Sequence, residues 1–147
     1  MNFIEKQLKV KLEFGAIIPT RGSFSSAGLD LYTNEDGVLK PGDRKLISTG
    51  VSCEFPSNTY GRIAPRSSLA LKGLEIGAGV IDGDYTGIIK ILMINNGKNN
   101  YVYNSGERVA QLIVEEYRHV TPYLSNISIT DRGSGGFGST GKWINFQ

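Results

Sequence analysis

The sequence predicts an all-β fold of the β-sandwich or jelly-roll type, and two observations support this prediction. Short β-rich runs recur along the chain, and turn-forming residues separate them, as at residues 41–43 and 96–97. Many short strands at this spacing are typical of a double-sheet jelly roll. Only residues 67–72 favour a helix, of one or two turns, with Ser67 as its N-terminal cap.

The strands follow from the hydrophobic pattern in chain order. Leu8, Val10, Leu12 and Phe14 alternate with charged residues, which is the period of a half-buried strand. A further strand is expected to start around Asp30. The later β-rich runs are residues 46–55, 60–64, 88–94, 101–103 and 109–117. No internal repeat is present, so we expect one jelly-roll domain over residues 1–130 and a flexible, Gly-rich C-terminal tail over residues 131–147.

Length and charge limit the classes of function. At 147 residues and 16.0 kDa the chain forms one domain, which is small for a catalytic cleft enclosed by a single subunit. A site shared between subunits of an oligomer is therefore expected. The formal charge is only +2, and the aromatic residues are not interleaved with a basic run, so the sequence does not indicate a nucleic-acid partner. A small anionic ligand is still possible.

Cysteine and histidine each occur once. Cys53 has no partner for an intrachain disulfide, and the N-terminal residues lack the apolar region of a secretion signal. We therefore expect an intracellular protein, cytoplasmic or nuclear or both, without a membrane partner. A single histidine, His119, argues against a His-rich zinc site, and we interpret it as a surface or interface residue.

The C-terminal stretch DRGSGGFGSTG, residues 131–141, has the most distinctive composition. Glycine lets backbone N–H groups approach an anion closely, and Arg132 offers a forked donor to phosphate oxygens. This indicates a phosphate-binding flap, although a disordered Gly/Ser tail has the same composition. The patterns G-x-G-x-x-G and G-x-x-x-x-G-K also fit, but both need a following helix. Only five residues follow Lys142, and Trp143 stands where the second pattern needs Ser or Thr.

Four earlier segments contain residues that a strand or turn does not require. AGLDLYT, residues 27–33, places an acid between two apolar residues, and GRIAPRSSLA, residues 61–70, places an arginine and a hydroxyl at a helix N-terminus. GAGVIDGDYTG, residues 77–87, is a hairpin with two acids and a tyrosine, and GERVAQLI, residues 106–113, contains an arginine and a glutamine.

Each of these residues also has an ordinary structural interpretation. Asp82 and Asp84 are common turn residues, Tyr85 is a common core residue, and Arg108 suits a surface ion pair. Only the combination of segments favours a function.

Taken in order, the five segments resemble the motifs of the trimeric dUTPase family: AGxDL, PRSxLA, GxVIDxDYxG, GxRxAQL and RGxGGFGSTG. They span residues 27–141, and the wording GAGVIDxDY is closer to eukaryotic and large-DNA-virus members than to most bacterial ones. The resemblance implies a homotrimer of jelly-roll subunits that hydrolyses dUTP to dUMP and pyrophosphate with Mg²⁺. This activity keeps uracil out of DNA and supplies dUMP for thymidylate synthesis.

The resemblance also implies three sites at the subunit interfaces. One subunit supplies the hairpin motif, a second supplies the first, second and fourth motifs, and the third supplies the tail. In this arrangement Asp82 is the general base for water attack on the α-phosphorus, and Asp30 holds the waters of the metal ion. Ser67 hydrogen-bonds the phosphate bridge, and Gln111 orients the phosphates or the water.

Substrate contacts follow from the same resemblance. The hairpin from Gly79 reads uracil through its backbone, Tyr85 excludes a 2′-hydroxyl, and Phe137 stacks on the base when the tail closes. The remaining residues expected to contact substrate, mainly at the phosphates, are Arg66, Ser68, Arg108, Arg132, Gly138, Ser139 and Thr140.

Two other functions compete with this interpretation. Ser68 stands where most dUTPases have glycine, and Arg-Ser-Ser also occurs in the homologous dCTP deaminases. A deaminase would need an acid at the position of Leu92 and an arginine at the position of Leu71, so this activity is not favoured. The other alternative is a dUTPase-like fold kept as a binding or signalling module, against which the intact Asp82, Tyr85 and tail argue.

Overall fold

The computed structural model describes residues 7–137 and residue 139, and within them the chain forms short strands and one short helix. The elements, in chain order, are β1 (Lys9–Leu12), β2 (Thr20–Arg21), β3 (Leu29–Tyr32), β4 (Gly37–Leu39), β5 (Arg44–Glu54), β6 (Thr59–Ala64), α1 (Ser67–Ala70), β7 (Leu74–Gly77), β8 (Val80–Ile81), β9 (Ile88–Asn95), β10 (Tyr101–Tyr103) and β11 (Arg108–Glu116). In the described part of the chain, no helix is long and apolar enough to span a membrane.

The strands form antiparallel sheets around a shared core. One sheet has the order β1-β5-β9-β7, the other has the order β2-β3-β11-β6-β8, and β10 pairs with β4 in a small ribbon. Both larger sheets and the ribbon contribute side chains to one apolar cluster, which includes Leu31, Ile47, Ile91, Tyr103 and Leu112. The architecture is the distorted jelly roll that the sequence predicts.

The longer strands lie where the hydrophobic pattern predicts them, but the pattern overstates the first one. Leu8 and Val10 pack against the core, whereas Leu12 is 41% exposed and Phe14 is fully exposed. Strands β4 and β7, and the two-residue strands β2 and β8, were not predicted as separate elements. Runs of two to four residues are too short to show a period, and only pairing with a neighbour defines them as strands.

The helix is shorter than predicted, and its cap is one residue earlier. Arg66 occupies the N-cap position with an extended backbone, and no side chain caps the helix. The Arg66 carbonyl accepts hydrogen bonds from the N–H groups of Leu69 and Ala70, which makes Arg66 the last residue before the turn. Ser67 is therefore the first helical residue rather than the cap, and its hydroxyl is not used by the helix backbone.

Candidate active site

Three neighbouring strands of the five-stranded sheet bring three sequence motifs together. Asp30 on β3 lies opposite Gln111 on β11, and Gln111 lies opposite Ala64 on β6. Directly paired residues of antiparallel strands have their side chains on the same face of the sheet. Ala64 is followed directly by the PRSSLA motif, residues 65–70, so this motif begins at the end of the row formed by Asp30, Gln111 and Ala64.

A β-bulge in β11 places Arg108 on the same face as Gln111. Residues three apart in a regular strand point to opposite faces. Here the register with β3 shifts between Arg108 and Ala110, so Arg108 pairs with Tyr32 while Gln111 pairs with Asp30. The inserted residue is Val109, which is buried together with Ala110. Without this bulge, Arg108 would not face the site.

Asp30 lies between two arginines. Its carboxylate oxygens are 3.3 Å from Arg66 Nε and 3.6 Å from Arg108 Nε. The side chain of Asp30 is only 17% exposed, and a largely buried carboxylate is costly unless it is paired with a positive charge. The two guanidinium groups provide this charge. Arg66 also donates a 3.3 Å hydrogen bond to the Arg108 carbonyl. The two cations from the second and fourth motifs are thus held side by side.

Tyr32 is a neighbour of this cluster that sequence reasoning did not single out. The Arg108 guanidinium lies 5.9 Å from the centroid of the Tyr32 ring. The interaction with Tyr32, followed by the charge of Asp30, raises the pKa of Arg108. The signal that could have identified it is the alternation in β3, which places Tyr32 on the same face as Asp30.

Gln111 is fixed by the loop that leads into the helix. Its Nε2 donates a 2.9 Å hydrogen bond to the carbonyl of Pro65. Gln111, Asp30, Arg66, Ser67 and Ser68 line one shallow depression, in which the side chains of both serines are exposed. The structure therefore assembles a carboxylate, an amide, a guanidinium and two hydroxyls, which suits recognition of phosphate oxygens.

The hairpin residues lie elsewhere on the subunit. Asp82 and Asp84 line a different depression, beside Tyr60 and Tyr117. Asp82 follows β8, which is three strands away from the β3 of Asp30, or about 14 Å at the usual strand spacing. Within this chain, the structure does not bring Asp82 to Asp30.

Tyr85 is not a core residue, since it is 44% exposed. Its hydroxyl donates a 2.9 Å hydrogen bond to the Ile88 carbonyl, and its N–H donates to the Asp82 carbonyl. The backbone of Asp82 therefore forms part of a turn, and its side chain is exposed.

Gly79 marks a point of close backbone approach in the hairpin. It has a φ of +102°, and its carbonyl accepts a 2.7 Å hydrogen bond from Ile63. A Cβ at this position would lie 2.8 Å from the Ile63 carbonyl oxygen, so the hairpin requires glycine here.

The described part of the tail has no regular secondary structure. Arg132 Nε donates a 2.9 Å hydrogen bond to the Gly135 carbonyl, and Phe137 is fully exposed with a φ of +50°. Ser139 is also exposed, and its N–H donates to the Gly136 carbonyl. The predicted contacts at Gly138 and Thr140 lie outside the described residues.

The described residues offer little for direct ligation of a metal ion. Among residues 7–137 and residue 139, no group of three or more His, Cys, Asp or Glu side chains is close enough to hold a metal ion. Asp30 is a single carboxylate, and both of its oxygens have arginine neighbours. Such a group suits contact with metal-bound water better than direct ligation, because Mg²⁺ keeps several waters and takes its other ligands from phosphates.

Comparison with known proteins identifies the family of this chain. Residues 15–141 match the dUTPase family model. The deoxyuridine 5′-triphosphate nucleotidohydrolase of cowpox virus is 51% identical over 124 residues, which is 84% of each chain. The enzyme of the same name from the Copenhagen strain of vaccinia virus is 50% identical over 124 residues, again 84% of each chain.

Solved structures show the same fold. The dUTPase of staphylococcal phage 80alpha, solved with dUPNHPP, superimposes with a TM-score of 0.83 at 29% identity, over 92% of this chain and 99% of that one. A D95N mutant of the phage phi11 dUTPase, described as coordinating a structural Mg(II) ion, gives a TM-score of 0.74 at 26% identity, over 85% and 99% of the two chains. The family match and the identity to the poxvirus enzymes show that this chain belongs to the dUTPase family.

Proposed function

We propose that this protein is a dUTP diphosphatase, which hydrolyses dUTP to dUMP and pyrophosphate. The observation that carries this proposal is the depression in which Asp30, Arg66, Ser67 and Gln111 meet. These residues come from three of the five dUTPase motifs, and the sheet register brings them to one place, while the bulge at Val109 places Arg108 beside them. Removal of dUTP and supply of dUMP for thymidylate synthesis are the cellular roles that follow from this reaction.

The cations of this cluster suit a triphosphate, which carries about four negative charges near neutral pH. Arg66 and Arg108 are adjacent through Asp30, and bidentate guanidinium groups match phosphate oxygens in geometry. Ser67 and Ser68 offer exposed hydroxyls at the start of α1. In the proposed reaction Ser67 hydrogen-bonds the bridging oxygen that gains charge as the bond to the α-phosphorus breaks.

Asp30 would hold Mg²⁺ through bound water, and the ion would supply positive charge to the triphosphate when bound. The single carboxylate of Asp30 supports this role. Gln111, fixed on the Pro65 carbonyl, orients a phosphate oxygen or the attacking water. Asp82 accepts a proton from that water, and general bases typically contribute about 10²–10⁴-fold to a rate.

The active site is proposed to be shared between subunits of a homotrimer. Ile81 on β8 pairs with Gly61, three residues along β6 from the Ala64 that lies in the row of Asp30. Asp82, one residue further on, is therefore displaced by about 13 Å along the strands as well as by about 14 Å across them. Because a base must lie within hydrogen-bond reach of its water, the Asp82 of another subunit is needed to complete the site.

The hairpin is proposed to read the base and sugar. The exposed ring of Tyr85 is tethered by its hydroxyl to Ile88, which suits a steric wall against a 2′-hydroxyl. Backbone groups around Gly79 would pair with uracil and leave groups unpaired against cytosine. Arg132, Phe137, Ser139 and the residues beside them are proposed to close over the nucleotide.

Product analysis tests the proposed activity. Purified protein is incubated with Mg²⁺ and dUTP, dCTP or dTTP, and the products are identified by chromatography and mass spectrometry. We expect dUMP and pyrophosphate from dUTP alone. In ¹⁸O-labelled water the label should enter dUMP, since the water attacks the α-phosphorus. Label in pyrophosphate, or dUTP formed from dCTP, would contradict the proposal.

The Asp82→Asn variant, purified in the same way, controls for a contaminating phosphatase. Binding of dUTP without hydrolysis by the unmodified protein would instead favour a binding module.

A further inference from the structure

Tyr32 lies between the edge strand β2 and the cluster of Asp30, Arg66 and Arg108, and it has contacts with both. Its hydroxyl is 2.5 Å from Thr20 Oγ1 on β2, and its ring lies 5.9 Å from the Arg108 guanidinium on β11. The register explains this arrangement, because Thr20 pairs with Asp30 and Tyr32 pairs with Arg108. Thr20, Asp30, Tyr32, Arg108 and Gln111 consequently share one face of the sheet.

The two partners of Arg108, Asp30 and Tyr32, would respond differently to a bound triphosphate. Asp30 is a charged partner, and phosphate oxygens would compete with its carboxylate for the guanidinium. Tyr32 is neutral and offers its ring and its hydroxyl oxygen. A cation beside a ring keeps most of its N–H donors available for an anion. The contact with Tyr32 can thus remain when Arg108 turns from Asp30 to phosphate.

The hydroxyl of Tyr32 is itself held in place. It lies 2.5 Å from Thr20 Oγ1, and this hydrogen bond, in which either hydroxyl can be the donor, ties the Tyr32 ring to β2. Tyr32 is half-buried, whereas the Arg108 side chain is 52% exposed and would otherwise sample several rotamers. Thr20 orients the ring, and the ring restricts the arginine.

We propose that Tyr32, held by Thr20, is a positioning residue that presents Arg108 to the triphosphate of the substrate. The inference rests on the proposed function, because it assumes that Arg108 binds phosphate oxygens. Restricting Arg108 before binding reduces the entropy that is lost when its hydrogen bonds to phosphate form. Tyr32 therefore contributes to binding through Arg108 rather than by contact with the nucleotide.

A double-mutant cycle tests this role. Tyr32→Leu removes the ring and is expected to lower kcat/KM for dUTP about three- to tenfold, mainly by raising KM, as expected for loss of a cation–π contact. Tyr32→Phe keeps the ring and should recover most of this loss. In an Arg108→Ala background, Tyr32→Leu should change kcat/KM by less than about twofold, because the residue that it positions is absent.

A purely structural role for Tyr32 gives a different result. Loss of a packing residue would lower activity by the same factor in both backgrounds, and that outcome would overturn the proposal. Thr20→Val is the second variant, since it removes only the partner of the Tyr32 hydroxyl. It should cause a smaller loss that also disappears in the Arg108→Ala background. Melting temperature and oligomer mass are measured for every variant.

Calorimetric binding of inorganic tripolyphosphate provides a readout that does not require hydrolysis. The same non-additivity between Tyr32→Leu and Arg108→Ala is expected in its Kd. If the unmodified protein fails to hydrolyse dUTP but the cycle is coupled in tripolyphosphate binding, the proposed function is wrong and the positioning role stands. If dUTP is hydrolysed but the two substitutions are additive, the positioning role is wrong and the proposed function stands.

Discussion

Gly28 and Gln111 lie so close together that position 28 has no room for a side chain. A Cβ on Gly28 would lie 2.3 Å from Gln111 Oε1 and 3.0 Å from Gln111 Cβ. Gln111 is a flexible side chain on a strand that is otherwise fixed, so it would move before the backbone does. The glycine of the first motif therefore sets the orientation of the glutamine of the fourth.

Gly28→Ala is expected to lower kcat for dUTP about tenfold or more while the protein still folds. The added methyl would push Gln111 away from the Pro65 carbonyl, and a small misplacement of an orienting group can reduce a rate about 10²-fold. Steady-state kinetics and a thermal melt measure the two effects. Gly22→Ala is the matched control, because a Cβ there would meet only Ser26 Oγ at 3.9 Å. Equal kinetics for the two variants would contradict this role of Gly28.

Asp82→Asn should lower turnover at least about a hundredfold, because an amide does not accept the proton of the attacking water. The substitution preserves the shape of an exposed side chain, so oligomer mass and nucleotide affinity are expected to stay unchanged. Single-turnover kinetics and calorimetry with a non-hydrolysable analogue separate the two quantities. Turnover near that of the unmodified protein would remove Asp82 as the base.

Tyr85→Ala is expected to reduce discrimination against the ribonucleotide. The ring is the proposed wall against the 2′-hydroxyl, so the ratio of kcat/KM for dUTP over UTP should fall. Tyr85→Phe is the control, because it loses only the hydroxyl bonded to Ile88 and keeps the bulk of the ring. An unchanged ratio in Tyr85→Ala would show that another group reads the sugar.

Deletion of residues 131–147 should abolish most turnover without unfolding the domain. The described residues of this segment, including Arg132 and Phe137, are mostly exposed and absent from the apolar core. Circular dichroism and a thermal melt test folding, and steady-state assays test turnover. Deletion of residues 143–147 alone, which follow the fifth motif, serves as the control. Normal hydrolysis by the longer truncation would favour a tail without function.

Mixed trimers test whether Asp82 and the tail of one site come from different subunits. Asp82→Asn chains and tail-deleted chains are refolded together in equal amounts. In a shared-site trimer a site works when its hairpin subunit keeps Asp82 and its tail subunit keeps the tail. With random assembly, about a quarter of the sites should recover activity by the symmetry of a closed ring. If one chain supplied both groups, no site would recover, so inactive mixed trimers of confirmed mass would refute sharing.

The sequence by itself determined the fold class, the family resemblance and the residue types of the site. Runs rich in β-branched and other apolar residues and bounded by turn residues, such as residues 88–94, predict strands because this signal depends on local order alone. The five motifs likewise identify an arginine, an acid and a glutamine for phosphate chemistry. These features require no knowledge of which strand lies beside which.

Only the tertiary structure decided how those residues meet. The bulge at Val109 turns Arg108 towards Asp30, Arg66 rather than Ser67 takes the N-cap position, and Tyr32 becomes the neighbour of Arg108. The separation of Asp82 from Asp30 depends on the strand order β3-β11-β6-β8, which residues distant in the chain determine together. Strand order and the bulge arise from pairing between segments that are distant in the chain, and the hydrophobic pattern of one segment does not specify which segment pairs with it.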